Sequence, residues 1–103
     1  MSVKISIEKN RIIAYLSGEI DHHSALLLRQ EIDLAVRENN PSELILDFSE
    51  VSFMDSSGIG LVMGRYRVMN ESGGTVTIHN PSPNIKKVMK LSGIEKLASI
   101  NNV

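Results

Sequence analysis

Residues 51–70, VSFMDSSGIGLVMGRYRVMN, limit the possible folds most sharply, because here a strand runs into a helix across two adjacent serines. The apolar run Leu44 to Phe48 reads as a short strand, central in a sheet. After a connector, Asp55-Ser56-Ser57-Gly58 opens a helix in which Ile59, Val62, Met63, Tyr66 and Met69 form an apolar stripe at helical spacing. An aspartate followed by serines suits the start of a helix, where the first backbone N–H groups lack partners and the helix dipole favours negative charge. A hydroxyl placed there is expected to be exposed and able to carry a phosphate without unfolding what lies beneath it.

The rest of the chain frames that element. Val3, Ile5 and Ile7 alternate with polar residues, and Arg11 to Ser17 reads as a second strand across a turn at Glu8-Lys9-Asn10, so the chain is expected to open with an antiparallel hairpin. Gly18 to Asp21 is read as leaving the sheet, with Asp21 capping a helix that spans His22 to Asn39. Its apolar positions are Ala25, Leu28, Ile32, Ala35 and Val36, and Arg29, Glu31, Asp33, Arg37 and Glu38 take the other side. Pro41 ends it. Thr75 to His79 is a β-branched strand. Ser82 and Pro83 start a third helix, which Gly93 stops, and Ile94, Leu97 and Ile100 mark a last apolar segment of undefined form. This order implies one α/β domain over residues 1–103, with a mixed four- to five-stranded sheet and helices packed largely on one face.

Composition narrows the chemistry. The 103 residues fit one domain, and a formal net charge of -1 gives no bulk attraction to nucleic acid or an anionic membrane. There is no cysteine, so disulfides, thiolate metal sites and a cysteine nucleophile are excluded. No apolar run approaches the roughly 20 residues that span a bilayer, and no signal peptide opens the chain, so a cytoplasmic location is expected. Adjacent His22 and His23 point apart on a helix and His79 lies in a distant strand, which argues against a metal site. No P-loop or nucleophile elbow is present, and a Ser-His-Asp arrangement lacks an orienting carboxylate and an oxyanion hole, so no catalytic residue is assigned. Lys86, Lys87 and Lys90 read as a solvated helix face.

Three features stay open on these grounds. Asp55-Ser56-Ser57-Gly58 reads equally as a well-capped helix start and as an anion or phosphate site. Asp21 is either a cap alone or a neighbour of Asp55 at one sheet edge, since both follow strands and begin helices. Gly58, Gly60 and Gly64 suit close packing of the helix on its own sheet, the plainer reading, or close approach by another backbone.

Four passages carry a resemblance: Gly18-Glu19-Ile20-Asp21-His22-His23, Phe53-Met54-Asp55-Ser56-Ser57-Gly58-Ile59-Gly60, Gly64-Arg65-Tyr66 and, more weakly, Leu91-Ser92-Gly93-Ile94. In order and spacing the chain resembles the anti-sigma-factor antagonists, single-domain proteins of the STAS fold, and within them the sporulation branch. The resemblance implies that Ser56 is phosphorylated by the anti-sigma factor, a serine kinase that itself binds the ATP. The unphosphorylated form would bind that kinase and release the sigma factor; the phosphorylated form would not bind, and a serine phosphatase acting on it would restore binding. It implies a partner surface of Asp21, His22, Asp55, Ser57, Gly58, Ile59 and Gly60, with no cofactor and a monomer when free. A general-stress antagonist and a STAS subunit of a larger signalling assembly are the alternatives. Family members commonly continue into a further C-terminal helix, whereas this sequence stops at Val103, so a shortened end of the domain is expected.

Overall fold

The structure is a computed structural model that describes residues 2–103. In chain order it forms β1 (Ser2–Glu8), β2 (Arg11–Ile20), α1 (His22–Asn39), β3 (Glu43–Met54), α2 (Ser56–Glu71), β4 (Thr75–His79), α3 (Pro83–Ser92), a 3-10 turn (Ile94–Lys96) and β5 (Ser99–Asn101). The strands lie in the order β1-β2-β3-β4-β5. β1 pairs antiparallel with β2, and each later pair is parallel. Asn10, at φ 67, closes the hairpin in two residues. Asparagine tolerates that left-handed geometry better than most residues.

Three parallel connections step across the sheet in one direction. Parallel crossovers are right-handed, so α1, α2 and α3 all come to one face. Alternation sends Ile12, Ala14 and Leu16 of β2, Leu44, Leu46 and Phe48 of β3, and Val76 and Ile78 of β4 into one core with the helices. The opposite face carries Tyr15, Asp47 and His79 in register across three strands. Asp47 is buried there and accepts hydrogen bonds from Ser49 N at 2.9 Å, Ser49 Oγ at 2.6 Å and Asn80 Nδ2 at 3.1 Å. Those bonds hold the point where β4 ends while β3 continues.

Two boundaries differ from the sequence expectation. β2 does not leave the sheet after Ser17 but continues to Ile20, and β3 does not end at Phe48 but runs to Met54. The two extensions pair with each other, Glu19 with Phe53 and Ile20 with Met54, after register shifts between Tyr15 and Ser17 and between Gly18 and Glu19. Each shift breaks the period-two alternation, which hid the extra length in the sequence. The segment after Gly93 resolves into the 3-10 turn and the three-residue edge strand β5.

Candidate functional site

The site is built by those two extensions. Ile20 and Met54 are register partners, and each is followed at once by an aspartate that caps a helix. Neighbouring strands lie about 4.8 Å apart, so Asp21 and Asp55 emerge side by side at one edge of the sheet. Asp55 N donates to Ile20 O at 3.1 Å, which ties the start of α2 to the end of β2. The N-termini of α1 and α2 therefore converge, each with a partial positive charge of about half a unit.

The capping is specific. Asp21 Oδ1 accepts from Ser24 N at 2.9 Å while Asp21 N donates to Ser24 Oγ at 2.9 Å, a reciprocal capping box. Ser24 Oγ also reaches Glu19 O at 3.0 Å, which anchors the turn to β2. The backbone and side-chain hydrogen bonds from Ser24 hold the Asp21 carboxyl below its ordinary pKa. Asp55 Oδ1 accepts from Ser57 N at 2.8 Å. Ser56 is thus the first helical residue of α2, exposed to solvent, with its backbone fixed by a cap on one side and a strand on the other.

Beside the serines runs a groove of about 210 Å³ between the two helices, lined by His22, Leu26 and Arg29 of α1 and Ser57, Gly60 and Leu61 of α2. The three glycines of α2 do different things. A Cβ on Gly58 would overlap Met54 Cγ and Sδ and touch Ile20 Cγ2 at 3.5 Å. Gly58 is therefore a packing glycine, buried against the end of β3. A Cβ on Gly60 or Gly64 would meet nothing within 4 Å. Close packing of the helix on its sheet explains Gly58 alone. The other two each cost the helix about 1 kcal/mol relative to alanine and leave its outer surface bare.

The buried face of α2 is also rotated from the expected stripe. It consists of Gly58, Leu61, Val62, Arg65 and Met69, while Ile59, Met63 and Tyr66 are half-buried on its flank. Arg65 is 4% exposed and reaches Asp33 of α1, with Nε and Oδ1 2.8 Å apart. The N–H is not directed along that line, so the contact is an ion pair without a well-formed hydrogen bond, and Arg65 Nη1 has no hydrogen-bond partner. Burial lowers the Arg65 pKa, the Asp33 carboxylate opposes that, and the nearby Arg29 and Arg67 guanidinium groups lower it further. A charged residue inside the stripe is what hid this face in the sequence.

Of the residues singled out in the sequence, Asp21, His22, Asp55, Ser56, Ser57 and Gly60 gather at this edge, and Ile59 lies half-buried beside them. Gly58, expected on the partner surface, is instead buried against Met54 at the end of β3. His79 stands on the far face of the sheet in register with Asp47. Among the described residues no three metal-ligating side chains converge, and no helix is long and apolar enough to cross a membrane. Leu26 and Arg29 were not singled out as site residues. Their signal is the spacing from His22 by one and two helical turns, which puts all three on one side of α1.

The STAS domain family model matches residues 3–102. An anti-sigma F factor antagonist of Paenibacillus polymyxa is 33% identical over 97% of this chain and 87% of its own length. An anti-sigma-B factor antagonist of Bacillus subtilis is 25% identical over 98% of this chain and 93% of its own. The solved structure of the anti-sigma factor antagonist SpoIIAA in its unphosphorylated form superposes with a TM-score of 0.84 at 33% identity, covering 97% of this chain and 88% of that one. SpoIIAA in its phosphorylated form superposes at 0.77, covering 97% of this chain and 91% of that one. The strand-capped serine at the head of α2, the fold around it and these similarities agree: the chain belongs to the STAS domain family.

Proposed function

We propose that this protein is an anti-anti-sigma factor switched by phosphorylation of Ser56. Unphosphorylated, it binds an anti-sigma factor that is also a serine kinase, and so frees the sigma factor. That kinase, holding the ATP, transfers the γ-phosphoryl group to Ser56 Oγ: the new O–P bond forms, the bond to ADP breaks, and the hydroxyl proton passes to the kinase. The phosphorylated form no longer binds, and a serine phosphatase returns it to the binding state. This chain supplies a substrate hydroxyl and a docking surface, acts as a monomer in the cytoplasm, and has no catalytic side chain or cofactor of its own in the cycle.

The observation that carries this reading is the exposed Ser56 at the first position of α2, beside the paired caps Asp21 and Asp55. Two converging helix N-termini tolerate a phosphate, gaining about 0.3–1 kcal/mol from each dipole, so the fold itself changes little. The phosphate brings about -1.5 to -2 charges next to two carboxylates. The loss therefore falls on the partner surface of Asp21, His22, Asp55, Ser57, Ile59 and Gly60, where each 1.4 kcal/mol of repulsion or steric exclusion is about tenfold in affinity.

The higher identity to the anti-sigma F antagonist than to the anti-sigma-B antagonist supports the sporulation type over the general-stress type. Titration calorimetry with the anti-sigma kinase tests the reading. Tight binding of the unphosphorylated protein and of Ser56→Ala, lost on phosphorylation, is expected. Equal binding of phosphorylated and unphosphorylated protein would overturn it.

A further inference from the structure

We infer that the seam between α1 and α2, continuing from Ser56 past Gly60 to Gly64, is the bed for a helix of the anti-sigma factor that presents a carboxylate to Arg29. The inference rests on the function proposed above and adds the shape, direction and charge of what docks.

The first ground is the surface of α2. Ser56, Gly60 and Gly64 are spaced four residues apart and share one side of the helix. Beyond the backbone of α2 itself, no atom lies within 4 Å of where a Cβ on Gly60 or Gly64 would be, so a Cβ at either position would have room. A flat strip of backbone costs helix stability and lets a second helix approach closely. Leu26 of α1, 43% exposed, stands at the lip of the groove beside it and offers an apolar contact.

Charge is the second ground, and it is independent of the glycines. Arg29 and Arg67 lie close enough to Arg65 to perturb it, and Asp33 is the carboxylate paired with Arg65. Arg65 is buried in the seam with Nη1 unpartnered. Among the described residues Arg29 and Arg67 form no ion pair. The mouth of the seam, by contrast, carries Asp21 and Asp55. The surface is therefore negative at the helix starts and positive about two turns along. A docking helix that matches it places a carboxylate opposite Arg29, two turns from whatever group meets Asp21. A phosphate on Ser56 deepens the negative end only, so it opposes the same helix at one point and leaves the arginine end intact.

The test uses the full chain and its anti-sigma kinase. Affinity, thermal stability and Ser56 phosphorylation are measured for the wild type, Arg29→Glu and Gly64→Leu. Arg29→Glu is expected to weaken binding about tenfold or more, with the penalty shrinking as salt is raised. Gly64→Leu is expected to weaken binding while the melting temperature holds or rises, because leucine favours the helix and its Cβ meets nothing within 4 Å beyond the backbone of α2. Wild-type affinity in both variants, with phosphorylation still abolishing binding, would overturn the docking bed and leave the proposed function standing. A wild type that binds no anti-sigma kinase would overturn both. Self-association of the free protein, dissolved by Arg29→Glu, would assign the seam to a second copy of this chain and overturn the partner named here.

Discussion

Alanine substitution at the glycines of α2 should move stability in opposite directions over two residues. Gly60→Ala adds a methyl group that meets nothing within 4 Å. Its effect is the helix propensity difference, about 0.5–1 kcal/mol of stabilisation, which for a domain of this size raises Tm by about 3–6 °C. Gly58→Ala gains the same propensity but places its Cβ where Met54 Cγ and Sδ lie, and Met54 is only 7% exposed. Repacking a buried side chain costs about 1–3 kcal/mol and more than cancels the gain, so a net loss of about 1 kcal/mol and a Tm lower by about 4–8 °C are expected. Urea and thermal denaturation followed by circular dichroism read both values. A Gly58→Ala protein more stable than wild type, or a Gly60→Ala protein less stable, would refute the division into a packing glycine and a bare one. Gly60→Ala should also lose affinity for the anti-sigma kinase although it folds better, which a purely structural role for Gly60 forbids.

Two further outcomes follow from the caps and the seam. Asp21 is held below the ordinary carboxylate pKa of 3.8 by Ser24, so its contribution is complete above that value and is lost as pH falls through the lowered one. Asp21→Asn, which keeps a capping oxygen, should flatten that acid loss and barely move Tm at pH 7, yet weaken kinase binding; equal losses of both would return Asp21 to capping alone. Asp33→Ala strands the buried Arg65 guanidinium and should cost about 3 kcal/mol, whereas Arg65→Met leaves behind an aspartate side chain that is 27% exposed and able to hydrate, and should cost less. Chemical denaturation of the two variants decides it, and the reverse order would show that the ion pair is not what fixes α1 against α2.

Much of this architecture was legible in the sequence, and the parts that were not have physical causes. The strand-then-helix order around Asp21 and Asp55 offered a shared sheet edge as one of two readings, and the pairing of Ile20 with Met54 decides for it. The caps Asp21, Asp55 and Ser82 were visible because a short polar side chain before an apolar helix has few other uses. The last turns of β2 and β3 were hidden, since register shifts at Ser17 and Glu19 replace strict alternation with an irregular pattern. The buried face of α2 was misplaced because Arg65 reads as a surface residue until Asp33, 32 positions earlier, is brought against it. Gly58, Gly60 and Gly64 look alike in a sequence. Only the position of Met54 separates the first from the other two.

The central claim is that Ser56 is the switch, and phosphate mapping tests it most directly. The folded protein is incubated with ATP and the anti-sigma kinase encoded in the same genome, then examined by intact mass and peptide mapping. A single added phosphate on Ser56, absent in Ser56→Ala, is expected. Phosphate on Ser57 instead, or none at all with an active kinase, would contradict it.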